Sequence, residues 1–89
     1  MIKNLVILPT YNESKNIIII IDMLLNLDTD LDILVIDDNS PDNTAQIVKK
    51  YDSDKVFIQK RAEKKGLGTA YVHGFNWALS NNYDKIIQM

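Results

Sequence analysis

The chain has no cysteine, a single histidine and a single tryptophan. Without thiols there is no disulfide framework and no thiolate metal site, a composition that fits a reducing, cytoplasmic compartment. The lone histidine, His73, falls within an expected helix and has no second histidine to share a metal. Long apolar runs are missing too: residues 17–27 come nearest to one, and Asp22 and Asn26 interrupt them, so nothing approaches the length of a membrane span. The N-terminus has no signal-peptide character, because a strand and Pro9 follow Met1 almost at once. Neither sign of charge dominates. Ten basic and 12 acidic residues leave a formal net charge of -2, which is no electrostatic footprint for nucleic acid. The basic cluster Lys60, Arg61, Lys64 and Lys65 is local, and Glu63 breaks it. Repeats, low-complexity tracts and linkers are absent.

What is present is an ordinary globular composition, 46% hydrophobic and 25% charged over 89 residues. That is enough for one small domain and short for a complete enzyme. Leu5-Val6-Ile7-Leu8, bounded by Pro9, reads as a first strand. Five successive isoleucines, Ile17 to Ile21, favour a strand on propensity. Ile17, Ile20, Ile21, Leu24 and Leu25 nevertheless form a helical stripe, and joining two parallel strands takes a crossover, usually a helix. A helix starting near Asn12 or Glu13 is therefore expected. Residues 32–37 form the second strand, and Ser40-Pro41 would cap a second helix. Val56-Phe57-Ile58 is the third strand. A longer helix opens at Gly66-Leu67-Gly68-Thr69, with Leu67, Ala70, Tyr71, Gly74, Phe75, Ala78 and Leu79 on one face. Ile86-Ile87-Gln88-Met89 begins a fourth strand, and a domain that stops inside an element looks incomplete. The predicted fold is α/β and Rossmann-like: a mostly parallel sheet of order 3-2-1-4 with three crossover helices.

Candidate chemistry gathers after the strands. Ile36 runs into Asp37-Asp38-Asn39-Ser40-Pro41-Asp42-Asn43-Thr44, and ligands of open parallel sheets bind beyond the carboxyl ends of strands. The acid pair could hydrogen-bond a base or sugar, ligate a cation, or sit as solvated turn acids. Successive strand residues face opposite sides, so the two carboxylates should diverge and do different jobs. Asp42 and Thr44 suit the turn and the helix start, and Asn43 tolerates a left-handed conformation. After strand one, Tyr11 in Pro9-Thr10-Tyr11-Asn12-Glu13 could offer an aromatic face and Glu13 could accept from hydroxyls. The same residues also read as a helix start with an acid in the first turn. Arg61, Gly66 and Gly68 before a helix N-terminus suit an anionic phosphate, or form a solvated basic loop. The spacing matches neither a Walker A loop nor a GxGxxG fingerprint. Tyr71 and Trp77 read as packing residues.

Together, Pro9-Thr10-Tyr11-Asn12-Glu13, Asp37-Asp38-Asn39-Ser40-Pro41-Asp42-Asn43-Thr44 and Gly66-Leu67-Gly68-Thr69-Ala70-Tyr71 with Gly74 resemble the polyprenyl-phosphate mannosyltransferases. These dolichol-phosphate mannose synthase-like enzymes are inverting GT-A glycosyltransferases. The likeness runs over almost the whole chain, with Asn43 standing where the family usually has glycine. It implies that residues 1–89 are the N-terminal nucleotide-sugar-binding part of a GT-A domain. The implied donor is a nucleotide-diphosphate sugar such as GDP-mannose, and the implied acceptor a polyprenyl or dolichyl phosphate at the cytoplasmic membrane face. By the resemblance, Pro9, Tyr11 and Glu13 line the nucleoside pocket, Asp38 and less directly Asp37 meet base or ribose, and Arg61, Gly66 and Gly68 flank the phosphates. The family's Asp-x-Asp motif, which holds Mg2+ or Mn2+ just after the fourth strand, does not occur in these 89 residues. Without it the chain is expected to bind no metal and to be inactive alone. A receiver domain of a response regulator also carries paired acids at a strand end, but there they end the first strand and a phosphoacceptor Asp ends a later one. A non-catalytic module that self-associates through an exposed sheet edge is the remaining alternative.

Overall fold

The computed structural model describes residues 3–62 and 66–89. Strands β1 (Asn4–Thr10), β2 (Asp32–Asp37), β3 (Val56–Lys60) and β4 (Lys85–Gln88) alternate with helices α1 (Ile17–Leu25), α2 (Thr44–Lys49) and α3 (Leu67–Ser80). All strand pairs are parallel, in the order β3-β2-β1-β4. The expected order and the bounds of the second strand are those observed.

The two central strands are apolar on both faces because both faces are covered. Val6, Leu8, Ile33 and Val35 pack with Ile17, Ile21 and Leu24 of α1 and Val48 of α2. Leu5, Ile7, Leu34 and Ile36 face the other way, onto Ala70 and Ala78 of α3. The alternation along each strand thus sorts one apolar run into two cores. Helix α3 comes close to the sheet at Gly74, where a Cβ would lie 2.8 Å from Ile7 Cδ1. Phe57, Trp77 and Tyr83 fill the flank of this second core with ring centroids 5.2 and 5.8 Å apart. Trp77 is therefore a packing residue, as expected. Burial and its bond to Asp32 push the Tyr83 hydroxyl pKa up.

Three expectations need correcting. Helix α1 begins at Ile17, not near Asn12, because Asn12 takes a left-handed φ of 57° and the chain then makes a turn closed by Asn16 and Ile17 N–H groups on the Glu13 carbonyl. Helix α2 begins at Thr44, not at Pro41, because Ser40 is engaged by Asp37 and Asn43 is left-handed at φ 67°. The stripe assigned to α3 includes Leu79, which is 68% exposed, while Ala70, Gly74 and Ala78 carry the buried line. Among the described residues, all four non-glycine left-handed corners are asparagines: 12, 39, 43 and 82. The short amide side chain tolerates this region better than other residues do. That accounts for Asn43 in a glycine-like role.

Among the described residues no helix is long and apolar enough to cross a membrane.

Candidate functional site at the carboxyl ends of the strands

Thr10 and Asp37 end β1 and β2 opposite each other, on the α1 side of the sheet. Asp37 is fully buried. Its Oδ1 accepts from Thr10 Oγ1 at 2.8 Å and Ser40 Oγ at 2.6 Å, and its Oδ2 accepts from Ser40 N–H at 3.0 Å. Ser40 Oγ accepts in turn from Asn12 N–H at 2.9 Å. One carboxylate thereby fastens both loops, so Asp37 presents no exposed surface to a ligand.

Asp42 extends the lacing between the two loops. It accepts from Ser14 N–H at 3.0 Å and from Thr44 N–H at 3.2 Å, besides the Thr44 hydroxyl, and Thr44 Oγ1 accepts from Glu13 N–H at 3.1 Å. The Thr44 hydroxyl above all holds the Asp42 carboxyl down at a pKa of about 2. Asp42 and Thr44 serve the turn and the helix start, as their spacing suggests. Sequence reasoning gives Thr10 no role, although its place between Pro9 and Tyr11 at a strand end is a usable signal.

Asp38 emerges one residue later and faces the α3 side, so the two carboxylates do diverge. It is 7% exposed. Arg61, the residue after β3, grips it with Nε on Oδ1 at 2.6 Å and Nη2 on Oδ2 at 2.8 Å. The same guanidinium donates from Nη1 to Thr69 Oγ1 at 3.0 Å, and Thr69 Oγ1 donates to the Gly66 carbonyl at 3.0 Å. The β2 end, the β3 end and the first turn of α3 are joined there. The bond to Asp38 raises the Arg61 pKa further.

The other expected residues divide between two places. Pro9 and Glu13 line a cleft of about 180 Å³ with Leu8, Thr10, Ile17, Ile20 and Met89, while Tyr11 is 40% exposed on the loop between them. Among the described residues, no heavy atom lies within 4 Å of where a Cβ would sit on Gly66 (φ 93°) or Gly68. Of the two, Gly66 has the backbone conformation that favours glycine. Lys64 and Lys65 of the basic cluster lie outside the described residues. His73 is half-buried on α3. No group of three His, Cys, Asp or Glu residues among the described ones could hold a metal. The acid pair does not supply one either, since Asp37 is tied to Thr10 and Ser40 and Asp38 to Arg61. The described residues therefore do not fit a metal by themselves.

A parallel sheet of this order, with its polar groups massed at the strand ends, is matched by one family model, Glycosyl transferase family 2, over residues 5–84. This chain belongs to glycosyl transferase family 2. It is 39% identical over 90 residues to a polyprenol monophosphomannose synthase of Mycolicibacterium smegmatis, covering 98% of this chain and 34% of that protein. An undecaprenyl-phosphate mannosyltransferase of Micrococcus luteus is 37% identical over 87 residues, covering 96% of this chain and 36% of that protein. The family 2 chain thus spans about a third of the length of these curated relatives. Among solved structures, a mannosyltransferase from Pyrobaculum calidifontis in complex with GDP-Man and Mn2+ superposes with a TM-score of 0.78 at 26% identity, over 84% of this chain and 24% of that one. The fold is the GT-A-like α/β arrangement expected from the sequence, with strand order 3-2-1-4. Membership of family 2 also sets the receiver-domain alternative aside, and β3 ends on Lys60 with no acid in the phosphoacceptor place.

Proposed function

We propose that this chain is the donor-binding part of an inverting mannosyltransferase that passes mannose from a nucleotide-diphosphate sugar to a polyprenyl phosphate at the cytoplasmic membrane face. The observation that carries the reading is Asp38: a nearly buried carboxylate at the end of a central strand, in a chain similar throughout to polyprenyl-phosphate mannosyltransferases. Ligands of such sheets are met at that end.

In this reading Asp38 accepts from the base or a ribose hydroxyl, and Tyr11 lends its exposed ring. Pro9 and Glu13 form the wall on the β1 side. Gly66 and Gly68 put no side chain on the first turn of the 14-residue α3, where the helix dipole favours the negative charge of a phosphate. Asp37 contributes by holding the Thr10 and Ser40 loops in place. A divalent cation, Mg2+ or Mn2+, would neutralise diphosphate charge in the whole enzyme, and no group of three acidic, histidine or cysteine ligands for it occurs among the described residues. The chain alone is therefore expected to bind the nucleotide and not to turn over.

Calorimetric titration of GDP, GDP-mannose and UDP into the chain and its Asp38→Asn variant tests this. Binding of a guanine or uracil diphosphate, weakened at least tenfold by the variant, is the expected result. Equal binding by both proteins would remove Asp38 from the site.

A further inference from the structure

Arg61 is a cation beside a helix N-terminus, and its sequence context suggests a phosphate ligand. Its geometry assigns it a different task. At least three of the five guanidinium N–H groups are committed within the fold: two in a parallel fork on Asp38 and one on Thr69 Oγ1. The paired side chains are only 10% and 9% exposed. To offer its fork to a phosphate, Arg61 would have to release Asp38 and leave it as an uncompensated, nearly buried charge, which is strongly unfavourable. The planar guanidinium fork fits carboxylate and phosphate alike, and here it is already closed on the Asp38 carboxylate.

We propose that Arg61 is a positioning residue, which aims Asp38 at the nucleoside and fastens the first turn of α3 through Thr69, and that it does not ligate the donor phosphates. The inference rests on the reading of Asp38 given above and deepens it. Each carboxylate oxygen has two acceptor directions. Arg61 takes one on each, so the remaining ones are held in fixed orientation for the N–H and O–H donors of a base or ribose. The pair is also neutral overall. A carboxylate so compensated can sit near a diphosphate without repelling it, which an isolated Asp38 could not do at such short range. Through Thr69 and the Gly66 carbonyl the same guanidinium couples the nucleoside side of the site to the helix end that faces the phosphates.

The test uses guanosine and GDP as probes on the wild-type chain, Arg61→Lys, Asp38→Asn and the double variant, below the unfolding transition of each. Arg61→Lys keeps the charge and loses the fork. It is expected to weaken guanosine and GDP by the same factor, about tenfold for loss of a bidentate charge-assisted contact, and the double variant to be no weaker than the worse single one. Loss of GDP binding with guanosine unchanged, or additive losses in the double variant, would make Arg61 a phosphate ligand and overturn the proposal. Hydrogen exchange without nucleotide reads the fastening separately. The amides of residues 66–70 should exchange faster in both single variants, and unchanged rates would overturn that part. A wild-type chain that binds neither probe would sink the nucleotide reading itself, while the exchange rates would still decide the clasp on α3.

Discussion

The two ends of the sheet carry similar residues and do different things with them. At the amino end, Lys3, Asp30, Asp32, Asp54 and Lys55 surround a depression of about 310 Å³. Its ion pair, Lys55 with Asp30, has side chains 45% and 76% exposed. At the carboxyl end the cleft beside Pro9 is smaller, about 180 Å³, but the Arg61–Asp38 pair is 10% and 9% exposed and forked. Hollows and charges alone do not tell the ends apart, since the carboxyl-end loops also frame an open hollow of about 510 Å³ between Asn12, Lys15 and Asp42. Charge in the open is screened and costs little to rearrange. Charge withdrawn from water is held to one geometry by the cost of leaving it unpaired. Orientation, more than the number of charges, separates the candidate site from the rest of the surface.

The sharpest way to break this contrast is Asp38→Ala. It strands the Arg61 guanidinium, and a destabilisation of about 3–5 kcal/mol is expected from denaturant titration. A loss as small as that of an exposed pair would show that the two ends are equivalent. Next in size is Asp37→Ala, which leaves the Thr10 and Ser40 donors without their buried acceptor and should cost about 2–3 kcal/mol. Nucleotide affinity, compared where the variant is folded, should fall less than in Asp38→Asn if Asp37 acts only through the loops.

Acid sharpens the contrast further. Asp42 has its folded pKa depressed from 3.8 to about 2. Its stabilising contribution is therefore complete above about pH 4 and is lost as pH falls from about 4 to 2. Asp42→Asn should flatten that part of the stability–pH curve, and an unchanged acid limb would remove the lacing role. The smallest effect is expected at the other end. Lys55→Ala should leave the unfolding midpoint nearly unmoved at physiological ionic strength, where exposed charges are screened. A shift comparable to that of Asp37→Ala would contradict the comparison from the opposite side.

Much of this is legible in the chain itself. Short apolar runs, spaced for crossovers, predict the strands, the parallel order and the full extent of β2. The alternation rule predicts that Asp37 and Asp38 separate to opposite faces, as they do. The helix starts differ from expectation for a local reason. Asn12 and Asn43 turn left-handed where a continuing helix is expected, and Ser40 gives its hydroxyl to Asp37 and not to a helix end. The left-handed turn at Asn43 is foreseen by its residue type, whereas the choices at Asn12 and Ser40 are not, because each of these two residues bonds a partner that the fold brings to it.

The sequence alone determined that this is a two-faced parallel sheet with its chemistry after the strands, since hydrophobic period and turn residues are local properties written along the chain. Its motifs were also sufficient to place it among the family 2 transferases. Tertiary structure decided which acid looks outward. Residues 37 and 38 are chemically identical neighbours, and only the parallel register that sets Thr10 and Lys60 beside Asp37 brings Thr10 to one carboxylate and Arg61 to the other. That pairing joins residues 23 positions apart, and no local preference encodes it. It arises because two strands must align for their backbone hydrogen bonds and their apolar faces at once, and the side chains at their ends then meet the partners that alignment leaves within reach.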